Sequence, residues 1–215
     1  MAKIKQGILG GFSGKVANVV GTSWKGRAVM KSQPLSVSNP RTEDQVAQRN
    51  KFSKIAELAG KILTQFVQPV ENPISGNISG YNLFCKDNKA AFDAVGALVA
   101  ANLCAGGGKI INIVPTSIEA IGGGSAITMR WTNAAGTSAL RLTDKVFAFA
   151  VDEETGEVAV TDGTATRNSQ VADLFWVNAG VKTVTGHTCA IVYACVSADG
   201  RDVSVKTFAT EETAS

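Results

Sequence analysis

The residues able to do chemistry in this 215-residue chain are few: one histidine, four cysteines and one acidic triplet. His187 lacks a ligand partner at metal-binding spacing, and no cysteine shows the CxxC spacing of a zinc or redox site. With a single imidazole, His187 is the one base that Ser/His/Asp or Cys/His catalysis could use, and neither is expected. Cys189 and Cys195 stand six residues apart within one predicted strand, about 20 Å at about 3.3 Å per residue, too far to bridge each other. Cys85 and Cys104 fall in segments that read as apolar helix. All four read as buried, unreactive thiols of a reducing compartment. Asp152-Glu153-Glu154 runs into Thr155-Gly156, a hairpin turn without the alternating oxygen ligands of a calcium loop. Gly14-Lys15 fails as a phosphate-binding loop, because Leu9 stands where the first glycine belongs and Val16 where the Mg²⁺-ligating hydroxyl belongs. The expectation is a non-enzyme with no catalytic residue, no cofactor, no metal and no small-molecule substrate.

The elements that would position any partner are strongly charged. Residues 1–110 hold 14 Lys and Arg against 6 acids, and residues 111–215 hold 7 against 12. Residues 1–42 carry Lys3, Lys5, Lys15, Lys25, Arg27, Lys31 and Arg41 with no acid. Such a stretch is drawn to phosphate or to an acidic protein surface. The low overall charge, 18% of residues, points to a surface partly covered by partners. No run of about 18 to 20 apolar residues crosses a membrane, and Gly10, Gly11 and Ser13 break the only early apolar run before a signal-peptide core forms. A virion or the host cytoplasm is the expected location.

The fold class expected is α+β. An N-terminal domain, residues 1–105, joins a basic β-ribbon to helices; a second domain, residues 109–215, is an immunoglobulin or fibronectin III-like β-sandwich. In the ribbon, residues 16–20 and 27–31 alternate about a Lys25-Gly26 turn. It is too thin to bury itself, so Phe12 and Trp24 are expected to pack on the first helix or a neighbouring subunit. Thr42-Glu43-Asp44-Gln45 reads as a capping box opening a helix to about Gln68, where Pro69 stops it. Its apolar stripe is Phe52, Ile55, Ala56, Ala59, Ile62, Leu63 and Phe66. A second helical region is expected from near Ser79 to about Leu103, with Tyr81, Phe84, Phe92, Val95 and Val99 as its stripe, Gly96 as a weak point and Lys86-Asp87-Asn88-Lys89 as a place of interruption. Gly106-Gly107-Gly108 reads as the hinge between domains. Seven strand-like runs follow: 109–115, 126–132, 145–152, 157–165, 172–177, 188–197 and 202–208. Trp131 is expected in their core.

The N-terminal pattern is specific: Gln6-Gly7-Ile8-Leu9-Gly10-Gly11-Phe12-Ser13-Gly14-Lys15-Val16, then Asn18-Val19-Val20-Gly21, Trp24-Lys25-Gly26, and Ser38-Asn39-Pro40-Arg41-Thr42 with Gln45, Gln48, Arg49 and Phe52. It resembles a family of proteins from Bacteroidota genomes and their phages, closely over residues 6–52 and more loosely beyond. The family carries no assigned enzymatic activity, so the resemblance transfers no catalytic residue; it implies a phage context and a structural role. The function expected is therefore a self-associating virion component of capsid or tail. Its partners would be other copies of itself and other virion proteins, with no membrane. The residues expected at its interface are Phe12, Lys15, Trp24, Lys25, Arg27, Lys31, Arg41 and Arg49. The alternative is a nucleic-acid-associated protein whose ribbon tracks phosphates.

Overall fold

The computed structural model describes residues 3–4, 11–34, 36, 39–178 and 180–215. The chain divides into two compact units, Met1–Arg41 and Thr42–Ser215. Among the described residues lie thirteen strands and three α-helices. The sequence pattern at Gln6–Gly10 and Ser38 lies outside the described residues.

The first unit is an antiparallel sheet in the order β1-β2-β3-β4, formed by Lys3–Ile4, Phe12–Val16, Val19–Trp24 and Arg27–Ser32. Lys25 and Gly26 have φ of 49° and 79°, the left-handed pair of a two-residue hairpin turn whose twist matches the strands. It closes on the pair Trp24↔Arg27. The expected hairpin gains a third long strand, β2, which pairs Lys15 with Val20 and Val16 with Val19. Gly21 makes this possible. A Cβ there would lie 2.3 Å from the Phe12 carbonyl oxygen and 2.6 Å from its ring, so only glycine admits Phe12 at this site.

In the second unit, α1 (Glu43–Lys61) passes through a π-turn at Leu63–Val67 into α2 (Gln68–Glu71). The sequence reading stops the helix at Pro69. The widened turn instead carries the chain through, with the amides of Phe66 and Val67 both donating to the Ile62 carbonyl; the wider turn takes up the mismatch that proline's missing N–H creates. Thr42 does precede the helix in extended conformation, but its side chain makes no capping bond. The second helix, α3 (Gly80–Asp87), is far shorter than its apolar spacing suggests. Ser79 caps it by accepting from the Asn82 amide. Asn88 ends it. That buried side chain donates to the Phe84 and Cys104 carbonyls at 3.0 Å each and accepts from the Cys104 amide at 2.8 Å. The chain beyond Asn88 is tied to β5 (Cys104–Ala105) rather than wound into another turn. Val95 and Val99, expected on a buried stripe, are exposed for that reason, and Cys104 is in a strand.

The remaining strands are β6 (Ile113–Ala120), β7 (Ala126–Asn133), β8 (Lys145–Asp152), β9 (Val158–Thr161), β10 (Val171–Trp176), β11 (Thr188–Val196), β12 (Thr207–Phe208) and β13 (Thr210–Thr213). Seven of them form one antiparallel sheet in the order β13-β11-β8-β9-β10-β7-β6. The pairs Leu174↔Thr161, Phe175↔Val160 and Trp176↔Ala159 run continuously across its middle, so hydrogen bonding does not divide it into two separate sheets. The sheet curls until its edges meet: the Ser215 amide donates to the Ala120 carbonyl at 3.0 Å, and the Gly122 amide donates to Ser215 at 2.8 Å.

The curl creates two cores. Inside it lie Ile127, Met129, Trp131, Ala148, Ala150, Leu174, Ile191, Tyr193 and both Cys189 and Cys195. On the opposite face Phe147, Phe149, Val151, Val192 and Val196 pack against Ile55, Leu58, Ile62, Phe66, Val70 and Phe84 of the helical segment. Strands covered on both faces read as continuous apolar runs. The helices thus share a core with the sheet. The expected division at residues 105–109 falls inside the second compact unit, and the boundary of the two units lies between Arg41 and Thr42. Gly106–Gly108 is no hinge here. The amides of Gly107 and Gly108 donate to the Ser204 carbonyl, and a Cβ at Gly108 would sit 2.1 Å from the Val203 carbonyl oxygen. These glycines let two backbones touch.

Candidate interaction interface

Antiparallel register places directly opposed residues on one face of a sheet. In the ribbon Lys15↔Val20↔Lys31 form one rung across three strands, with Thr22↔Val29 and Trp24↔Arg27 beyond it on the same face. Lys15, Arg27, Lys31 and Trp24 therefore share a face. Trp24 is 64% exposed, and Lys25 Nζ stands 5.0 Å from its ring centroid, a cation–π contact of about 0.5 to 1 kcal/mol at such an exposed position. The opposite face presents Phe12, Val16, Val19 and Met30. Phe12 is half-buried over Gly21; Val16 and Met30 are exposed. Of the two aromatics expected to be buried, Phe12 is partly so within its own ribbon and Trp24 is open.

Six of the eight residues expected at an interface, Phe12, Lys15, Trp24, Lys25, Arg27 and Lys31, are thus gathered in one small sheet and its hairpin turn. Arg41 ends the same compact unit, whereas Arg49 lies in α1 of the other. The first unit holds 7 Lys and Arg and no acid; the second holds 14 against 18.

The acids of the second unit have a focus at the β8–β9 turn. Burial pushes the Glu153 carboxyl up, and the neighbouring carboxylates of Glu211, Glu154 and Asp152 push it further. Beside it, Asp152 Oδ2 lies 3.0 Å from His187 Nδ1, and Glu154 Oε2 lies 3.8 Å from the same nitrogen. Burial raises Asp152, but the bond to His187 and the amides of Thr155 and Glu154 more than offset it, holding the carboxyl below its ordinary value. One ligand atom from each of Asp152, Glu154 and His187 lies within 4.8 Å of the others, a set that a divalent cation could use. Each also has a partner in the fold: Asp152 Oδ1 accepts from the Glu154 and Thr155 amides, and Glu154 accepts from the Thr188 amide. The cluster ties a turn to β11. His187 and Asp152 are 35 residues apart, so no spacing in the sequence could have paired them.

The cysteines are buried as the sequence suggests, although Cys104 lies in a strand and not in a helix. All four are free and buried; burial pushes Cys189 up to about 12 and Cys195 up to about 11. Trp131 is in the inner core, its indole N–H donating to the Arg167 carbonyl at 3.2 Å. Arg167 itself, fully enclosed beside Asp144, went unnoticed among the surface cations; an isolated arginine in a turn gives no sign of its burial.

The fold and these surfaces define a small α+β protein: a cationic β-ribbon and a curled, helix-backed antiparallel sheet. The chain belongs to a family of unknown function, DUF6266, whose model matches residues 11–209. No curated protein and no solved structure matches it. Among the described residues no helix is long and apolar enough to cross a membrane.

Proposed function

We propose that the protein is a non-enzymatic structural protein that assembles with copies of itself, as a capsid- or tail-associated component of a phage of the Bacteroidota. The observation that carries this reading is the separation of charge by compact unit. An acid-free unit with seven cations is joined to a larger one in which acids outnumber cations. The ribbon of one copy, with Lys15, Arg27 and Lys31 on one face, is complementary to the acids around Glu153, Glu154 and Glu211 of the next. Opposite patches at different places on a molecule give a heterologous contact, the kind that builds rings and filaments. The apolar face with Val16 and Met30 supplies area that an isolated ribbon leaves in water.

The curled sheet suits this role as an inert scaffold. Its order splits into β6-β7-β10 and β9-β8-β11-β13, and we read this as a three-and-four immunoglobulin-like sandwich stitched together at β9–β10.

The test is the mass of the purified protein across salt, by sedimentation velocity. Charge-driven assembly weakens as ionic strength passes about 0.15 M, where the Debye length is about 8 Å, and the triple reversal Lys25→Glu, Arg27→Glu, Lys31→Glu shifts the protein toward monomer. A monomer at every salt concentration overturns the proposal.

A second reading is favoured by one feature, the exposed Trp24 sharing a face with Lys15, Arg27 and Lys31. Cations interleaved with an open aromatic are what a single-stranded nucleic acid uses, phosphates on the former and a base on the latter. In that case the protein binds an oligonucleotide with an affinity falling steeply against log salt, while its own mass stays constant.

A further inference from the structure

We propose that the cavity between residues 109–111, the loop 136–138 and Arg167 binds a small oxyanion of the phosphate or carboxylate class. The cavity is about 410 Å³ and is lined by Lys109, Arg141 and Arg167 against the single acid Asp202. That volume admits inorganic phosphate or a small di- or tricarboxylate.

The decisive residue is Arg167. Its side chain is fully enclosed, and Nη2 donates to the Ile111 carbonyl. Nε lies 3.5 Å from Asp144 Oδ2 without making a hydrogen bond, and Nη1 has no partner among the described residues. A guanidinium has five donors in a fixed fork and no acceptor, and burying one with donors unpaired is strongly unfavourable. Asp144 balances the charge of Arg167, but at this separation its Oδ2 and the guanidinium Nε and Nη1 all stay without a hydrogen bond among the described residues. Arg141 is held loosely, 3.7 Å from both Asp144 and Asp202, and exposed Lys109 has no ion pair among the described residues. Three cations against Asp144 and Asp202 leave a net positive cavity. Of the acceptors around it, the Ile111 carbonyl is taken by Arg167 and the Ser138 hydroxyl by the Leu140 amide, while the carboxylates of Asp144 and Asp202 face the cations at ion-pair distance. A cavity with three cations against two carboxylates and unpartnered guanidinium donors favours an anion, and guanidinium forks match planar or tetrahedral oxyanions in particular. Assembly through the ribbon neither requires nor predicts this pocket, which lies wholly in the second unit.

The experiment is titration calorimetry of the full chain with inorganic phosphate, and in a separate arm with citrate, in chloride buffer of matched ionic strength. Thermal unfolding is followed under the same conditions. Saturable binding of either anion with a raised unfolding midpoint is expected, and the arm that binds more tightly names the class. Lys109→Ala combined with Arg141→Gln should weaken binding by about tenfold or more, while Lys109→Ala alone keeps the parent's anion-free midpoint. Arg167→Gln should abolish binding; should that variant fail to fold, the Lys109/Arg141 double variant decides. Midpoints that depend on ionic strength alone, or equal binding by the parent and the double variant, would overturn the proposal and leave the cavity to water.

Discussion

Phe66 stands edge-on to Phe149, with ring centroids 4.6 Å apart and planes at 76°, and Phe84 approaches the same ring at 6.1 Å from α3. One strand residue thus receives aromatics from two separate parts of the helical segment. Edge-to-face pairs add about 0.5 to 1.5 kcal/mol each beyond area burial. Phe149→Ala should destabilise the second unit by about 3 to 5 kcal/mol in urea unfolding. Loss of less than about 1 kcal/mol would mean that the helices do not rely on this contact.

Glu71 predicts an unusual pH response. It is 2% exposed; Oε1 accepts from the Gly106 amide at 3.1 Å, while Oε2 has no partner among the described residues. Burial, only partly countered by that amide, raises its pKa from the ordinary 4.5 to about 7. The folded state therefore holds the proton more tightly than the unfolded one. The contribution is full below pH 4.5 and is lost as pH rises toward 7, in total about 3 kcal/mol. Glu71→Gln should flatten this slope, seen as a smaller change in urea midpoint between pH 5 and about 8. An unchanged slope would place the carboxylate in water.

The four thiols should resist modification until the chain unfolds. Thiolates are the reactive species, and burial keeps Cys189 and Cys195 protonated well above neutral pH. Labelling with an aromatic disulfide at pH 8 should be slow in buffer and complete in denaturant. Prompt reaction of one cysteine in the folded protein would contradict its enclosure.

Gly108→Ala separates a hinge from a close contact. The added carbon meets the Val203 carbonyl oxygen at 2.1 Å, so backbone must shift, at about 1 to 3 kcal/mol for overpacking of this kind. At Gly156 a Cβ meets nothing within 4 Å, and only its φ of +70° resists substitution, by about 1 to 2 kcal/mol. Thermal unfolding of both alanine variants tests the difference; a neutral Gly108→Ala would restore the hinge reading.

Much of the β architecture is legible in the sequence because its strands are short, apolar and bounded by turns. Lys145–Asp152 is found at its expected limits, and β7, β10 and β11 within a residue of theirs. The helical segment is less legible. Apolar spacing from Tyr81 to Val99 suits a helix, but Asn88 bonds to Cys104 across 16 residues and diverts the chain. The boundary at Gly106–Gly108 misleads because three glycines look alike whether they bend a linker or let two backbones touch. At the candidate interface the cations were countable, and alternation put Arg27 and Lys31 on one face. The third strand that brings in Lys15 depends on Gly21 accommodating Phe12, a contact without a sequence signature. The pairings of Arg167 with Asp144 and of His187 with Asp152 join distant turns and were invisible for the same reason.

The double burial of β8 and β11 has a consequence for how this sheet finds its alignment. In most antiparallel sheets a slip of one residue is punished by water, since it turns apolar side chains outward. Here both sides are dry, so hydration cannot tell the right alignment from the wrong one. Side-chain bulk must do so. On β8 the inner positions are Val146, Ala148 and Ala150, and the outer ones Phe147, Phe149 and Val151; opposite them Tyr193 faces Ala148 and Val192 faces Phe149. A one-residue slip would press phenyl rings into the narrow interior and leave alanines beneath the helices, overfilling one core while hollowing the other. Volume, rather than polarity, selects the native alignment of these two strands.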